Sequence, residues 1–239
     1  MPGIADILSG PQAGPGEEKK TNVWLARPPG YLDLPVQDSE AKLEEIVPTV
    51  VGLAPPDKQD LLAAVLGVYA ITLRALEERN AIYCGVGWHP APDGTTVSSS
   101  LVVSLQSNGD GVERNPRLVL GGLIQAAANA NDTGQVDEVE LDSGPVVFFE
   151  RIRRLPRPEL PGVVDQGGEV EVYQLEALVP NEKGTWIAAI EFSTPYVRHG
   201  PLFREMMVLM ANSVTFTPPP GLEEEGSAGK NFRAILGGS

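Results

Sequence analysis

Between residues 57 and 79, Leu62, Val65, Leu66, Tyr69, Leu73 and Leu76 recur at helical spacing on one face, which predicts an amphipathic helix packed on a sheet. Pro55-Pro56 stops the chain before it, Asp57 caps the first turn with Asp60 near the positive end, and Asn80 closes it. From residue 82 the period changes to two. Ile82, Cys84, Val86 and Trp88 alternate with Tyr83, Gly85, Gly87 and His89. After the turn residues 90–94 the alternation resumes with Val97, Ser99, Leu101, Val103 and Leu105, the opposite face carrying Ser98, Ser100, Ser104 and Gln106. This is a hairpin whose second strand has one polar side. Asn115-Pro116 supplies a cap and a first-turn proline for a second helix over 116–130, with Val119, Leu120, Leu123, Ile124 and Ala127 inward. Gly121-Gly122 weaken that helix by about 1 kcal/mol each relative to alanine, and close backbone packing is the expected reason for them.

Four strands follow, over 136–141, 145–154, 169–179 and 184–193. In the third the apolar phase passes from Val170/Val172 to Leu175/Ala177/Val179, which predicts a bulge near Tyr173-Gln174. Asn181–Gly184 forms a tight connection, and Gly200-Pro201 opens a third helix over 201–211 with Leu202, Phe203, Met206, Met207 and Met210 clustered. Ser213–Phe216 reads as a last short strand. At the other end Val23-Trp24-Leu25 reads as a strand, RPPGYLDLP as an extended loop anchored by Trp24 and Tyr31, and 38–46 as a short helix. Strands on short turns with three helices over them define an α+β domain with a mostly antiparallel sheet, spanning 21–217. Gly/Pro/Glu-rich stretches set off a flexible tail at each end, 1–20 and 218–239.

Composition narrows the functional classes. The 239 residues carry a formal net charge of −14, a field that repels phosphate backbones, so nucleic acid is not an expected partner. Residues 1–20 hold no apolar stretch of signal-peptide length and no window reaches the ~20 apolar residues of a membrane helix. With Cys84 the single cysteine, no internal disulfide forms. The expectation is a cytoplasmic protein without membrane insertion.

The chemistry is sparse. Cys84 and His89 fall on opposite faces of one strand, ~17 Å apart by strand rise, so they make no dyad, and His199 meets Cys84 only if the fold brings it there. Two histidines and one cysteine do not complete a zinc site, and the acidic runs 137–140 and 223–225 lack the register of a calcium loop. No phosphate-cradling glycine motif and no nucleophile elbow is present. The expectation is no enzyme, no cofactor and no metal. Arg151, Arg153, Arg154 and Arg157 form the one dense basic segment. They read either as charges neutralised by the protein's own acidic surface or as a patch for an anion or an acidic partner.

The closing stretch TWIAAIEFSTPYVRHGPLFREMMVLMANSVTF resembles the end of Mog1/PsbP-like domains, with a strand, a Thr-Pro exit, a helix and a final Ser-Val-x-Phe strand. The opening WLARPPGYLDLPV is similar to openings in uncharacterised actinobacterial proteins of this broad type. The resemblance implies a central antiparallel sheet between helices and a role as a binding or assembly factor, with no active-site motif to carry over.

Both tails share one pattern. Ile4-Ala5-Asp6-Ile7-Leu8-Ser9-Gly10 and Phe232-Arg233-Ala234-Ile235-Leu236-Gly237-Gly238 each read apolar-x-x-Ile-Leu-small-Gly beyond a Gly/Pro/Glu linker. Ile4, Ile7 and Leu8, like Phe232, Ile235 and Leu236, suit one face of a single helical turn laid into a groove. The expectation is a protein-binding adaptor or assembly factor that uses these segments, on a symmetric assembly where two equivalent sites permit avidity. The alternatives are a small-ligand or anion-binding module and an acidic immunity-type protein masking a basic partner.

Overall fold

The computed structural model describes residues 22–34, 36, 47, 51–52, 55–56, 59–108, 111–130, 134–157, 168–218 and 232–235. Among the described residues, nine strands and three α-helices follow one another along the chain. These are β1 (Val23–Ala26), β2 (Tyr31–Leu34), α1 (Gln59–Glu78), β3 (Ala81–Pro90), β4 (Thr96–Ser107), α2 (Pro116–Asn129), β5 (Gln135–Leu141), β6 (Gly144–Pro156), β7 (Glu169–Pro180), β8 (Trp186–Thr194), α3 (Arg204–Asn212) and β9 (Phe232–Ile235). A 3-10 helix, Val197–Phe203, leads into α3.

Seven strands form one sheet in the order β2-β3-β4-β8-β7-β6-β5, antiparallel at every pairing. Helices lie on both faces, the α+β arrangement that the alternating periods predict. The 3-10 helix, α3 and β1 cover one face, where Val23, Leu25, Leu101, Phe148, Leu175, Ile190, Phe192 and Met207 meet in the largest core cluster. On the other face α2 packs Val119, Leu120 and Leu123 onto Val147, Phe149, Leu178 and Ile187. Farther along that face α1 sets Leu73 and Leu76 on Ala81, Cys84 and Val36.

Several local expectations change. No bulge interrupts β7, whose register runs unbroken against both neighbours. From Tyr173 to Pro180 every residue is buried, because α3 covers one side of the strand and α2 the other, so the phase change marks double burial. The register shift falls between Ala81 and Tyr83 instead. RPPGYLDLP is not wholly a loop, since Tyr31–Leu34 adds as the edge strand β2, where a neighbouring proline does no harm to the ladder. Gly200-Pro201 lies inside the 3-10 helix rather than opening α3, and Gly200 stacks on the Tyr173 ring where a Cβ would collide. Ser213–Phe216 is reduced to a single bridge, Trp24 to Thr215. Gly121 and Gly122 face open space, so close packing does not account for them. The expected helix over 38–46 and the Asp57 cap lie outside the described residues, as do the side chains of Leu62 and Val65.

Candidate functional site

Two features combine chemistry with unusual placement. The first is a polar seam on the sheet face between α1 and α2. Its floor is built by period-two alternation: Ser104 and Gln106 from β4, Gln174 and Glu176 from β7, and Arg151 from β6, all buried. Glu176 is directly opposite Glu191 of β8, and like charges so placed destabilise a sheet. Arg151 answers that with its planar fork. Its Nε donates to Gln174 Oε1 and an Nη donates to Glu176 Oε2, each at 2.8 Å, while Arg151 itself is 7% exposed and Glu176 0%. Alongside, Ser100 and Ser193 join across β4 and β8 at 2.7 Å. Arg79, Val102, Ser104, Glu176, Ala189 and Glu191 line a cavity of about 10 Å³, the room that one water requires. Among the described residues the seam is a buried hydrogen-bonded network around a cavity of one-water size.

The second feature joins the two ends of the domain. Val23, Trp24 and Leu25 are all buried, so their backbone groups need partners. On one edge Trp24 and Thr215 exchange N–H···O bonds at 2.9 Å, and the Ser213 hydroxyl oxygen accepts from the Ala26 N–H at 2.9 Å. Strand alternation turns Val23 and Leu25 to the other edge. There β9 runs parallel, with Phe232 opposite Val23, Arg233 opposite Trp24, Ala234 opposite Leu25 and Ile235 opposite Ala26.

This placement corrects the helical-turn reading of the C-terminal segment. Phe232–Ile235 is an extended strand, and the demand of the β1 edge for backbone partners outweighs the local helical spacing. Ile4, Ile7, Leu8 and Leu236 lie outside the described residues. The four arginines do not form one patch. Arg151 is interior, and Arg153 shares its sheet face. Arg154 points the other way and pairs with Glu171 at 3.2 Å, and Arg157 follows the end of β6, its amide bonded to Gly168 O at 3.0 Å. An external anion therefore does not meet Arg151, which is already committed to Glu176.

The remaining candidates are separated by the fold. Cys84 sits under α1, where burial first, and then the Glu191 charge, push its thiol up to about 11. His89 is on the opposite face, between the rings of Tyr31 and Phe203 at 5.0 and 5.3 Å. His199 meets Asp93 at 2.9 Å, not Cys84. Among the described residues no group of three or more His, Cys, Asp or Glu is placed to hold a metal ion, and no helix is long and apolar enough to cross a membrane. Sequence reasoning missed Glu176. Its signal was a carboxylate inside the apolar run Leu175–Val179, with an arginine in the adjacent strand. No family model, no curated protein and no solved structure matches the chain.

Proposed function

We propose that the protein is a non-enzymatic, cytoplasmic adaptor or assembly factor that engages protein partners through its short apolar terminal segments. The observation that carries this reading is the parallel addition of Phe232–Ile235 to β1. That pairing supports strand addition as the mode of recognition, in which backbone bonds supply affinity and side-chain spacing supplies selectivity. The one-water size of the seam cavity favours a protein partner over a small ligand there. A Mog1/PsbP-like kinship is part of the proposal, supported by an antiparallel sheet with helices on both faces.

The test is photocrosslinking in the native cell from positions 8 and 236, followed by mass spectrometry of the adducts. A reproducible partner is expected whose recovery falls on deleting residues 1–10 or 231–239 and vanishes when both are deleted. Undiminished recovery by the double deletion would move recognition to the sheet and helices. A second reading, masking of a basic partner, is favoured by the edge strand β5, where Asp137 and Glu138 are exposed in a row. Partner binding that weakens steeply with salt while surviving both deletions would select it.

A further inference from the structure

The helix α1 is apolar on the face its own chain covers and nearly as apolar on the face it does not. Leu73 and Leu76 pack inward. Asp60, Ala63, Gly67, Ile71, Arg74 and Glu78 recur at spacings of three and four residues and are all exposed. At about 3.6 residues per turn they form one stripe opposite the buried one. A surface helix ordinarily keeps its charges on such a face, yet between Asp60 and Arg74 there is no charged residue. Ile71 stands 71% exposed. Gly67 meets nothing within 4 Å of an added Cβ, so the conformational cost of a mid-helix glycine has no packing in return.

The stripe is also complementary to itself. Asp60 and Arg74 each lie seven residues from Gly67, and Ala63 and Ile71 each lie four from it. We propose that this stripe is the contact of a two-fold homodimer, in which α1 of one copy lies antiparallel on α1 of a second with the axis at Gly67. A two-fold contact that joins one residue to another also joins them in reverse. Asp60 therefore meets Arg74 of the partner subunit twice, and Ala63 meets Ile71 of the partner subunit twice. Parallel packing sets Asp60 on its own copy and Arg74 on its own copy, and like charges so placed repel. The charge order thus selects both the occupant and its direction.

Helix geometry permits the contact. Glycine at the axis lets the backbones approach to roughly 8 Å, and at a crossing of about 20° the helices stay close along their length. Asp60 and Arg74 lie roughly 10 Å from the axis by helical rise, within reach of each other at that angle. Arg74 also interacts within its own chain, and a guanidinium with five donors has capacity for a second carboxylate. One helix pair buries less than the roughly 1,200 Å² of a standard interface, so the dimer is a weak one. The charge of −14 on each copy opposes it at low salt, and a screening length of about 8 Å at about 0.15 M damps that repulsion more than the close pairs. This contact is independent of the terminal segments.

Sedimentation equilibrium of the full-length chain at about 0.15 M NaCl, over a series of protein concentrations, tests this. The parent is expected to pass from monomer to dimer along the series. Asp60→Arg and Arg74→Asp are each expected to weaken association on the order of tenfold, since the two-fold counts each reversed pair twice. An equimolar mixture of the two variants pairs opposite charges at both positions, and is expected to recover the parent's dimer as a heterodimer. The double variant, Asp60→Arg with Arg74→Asp, is expected to recover it as a homodimer. Ile71→Lys, at a position exposed in the monomer, is expected to abolish the dimer with Tm unchanged at low concentration. A parent monomeric at every concentration would overturn the proposal. So would single variants or Ile71→Lys that associate like the parent, or a mixture no better than its components.

Discussion

Arg151 and Glu176 show how much a single pair can decide. With Glu176 fully buried, removing the guanidinium leaves a carboxylate facing a low-dielectric interior, a loss of about 3–5 kcal/mol. Arg151→Leu is expected to lower the urea midpoint accordingly, and Arg151→Leu with Glu176→Leu to recover most of it. Equal stability of the single variant and the parent would show that the seam is wetter than its geometry implies. Two groups, His89 and Asp93 beside the His199 ring, contribute to the acid response. Burial lowers the pKa of His89 from its ordinary 6.5, and its Nε2 is buried over Gly87 without a hydrogen-bond partner. The unfolded chain then binds this proton more readily, so the contribution is present above about pH 6.5 and is lost as pH falls below it. Asp93 is held down at about 2, first by the Thr95 amide and then by His199. Its contribution is present above pH 3.8 and is lost as pH falls from there through 2. Melting curves against pH should therefore flatten between 7 and 5 in His89→Gln, and only below pH 4 in Asp93→Asn. At this scale the sequence pattern was informative where a residue serves its own strand and blind where it serves another. Alternation alone put Cys84 and His89 on opposite faces, whereas nothing local to Arg151 in β6 says that Glu176 of β7 comes within reach.

At the scale of elements, periodicity was a good guide because it reports which side of a segment is dry. It located α2 through the Asn115 cap, whose side-chain oxygen accepts from the Arg117 N–H at 2.9 Å. The end of α1 was also legible: Asn80 takes the left-handed conformation, φ 54°, and closes the helix on Glu77. Periodicity failed where both sides are dry. In β7 an apolar run on both faces imitates a bulge, and only the neighbouring elements reveal that α2 and α3 press on it from opposite sides. A related error concerned Gly121 and Gly122, which are exposed and meet nothing within 4 Å of an added Cβ. These glycines carry the conformational cost of their type with no packing in return. Gly121→Ala and Gly122→Ala are each expected to stabilise the domain by about 1 kcal/mol, a rise in Tm of about 2–4 °C per substitution at this size. A fall in Tm for either would indicate that the outer face of α2 is covered in solution.

For the whole molecule, net charge is a collective term that no single contact reports. Against 32 acidic residues stand 18 basic ones, and several of the described cations are paired locally. Arg117 serves Glu138 and Glu140, Arg154 serves Glu171, and Lys183 serves Glu113, all exposed pairs. Each contributes about 0–1 kcal/mol, so these contacts do not offset a net charge of −14 on the whole chain. The acidic β5 edge adds a benefit that no single pair shows. Asp137, Glu138 and Glu140 repel a second edge strand at β5, whereas the β1 edge is closed by β9, so these two pairing surfaces are guarded by different means. That asymmetry was not legible beforehand, because parallel pairing of residues 232–235 with 23–26 joins opposite ends of the chain and leaves no trace in local patterning. Salt separates the competing electrostatic terms. Raising NaCl from about 0.01 M to about 1 M shrinks the screening length from about 30 Å to about 3 Å. That weakens the few surface pairs slightly and relieves repulsion among the many unmatched carboxylates. Tm is therefore expected to rise with NaCl, and to rise less in a variant with three exposed carboxylates neutralised as Asp137→Asn, Glu182→Gln and Glu205→Gln. A Tm that falls as NaCl increases would mean that the local ion pairs, and not the net charge, govern the stability of the domain.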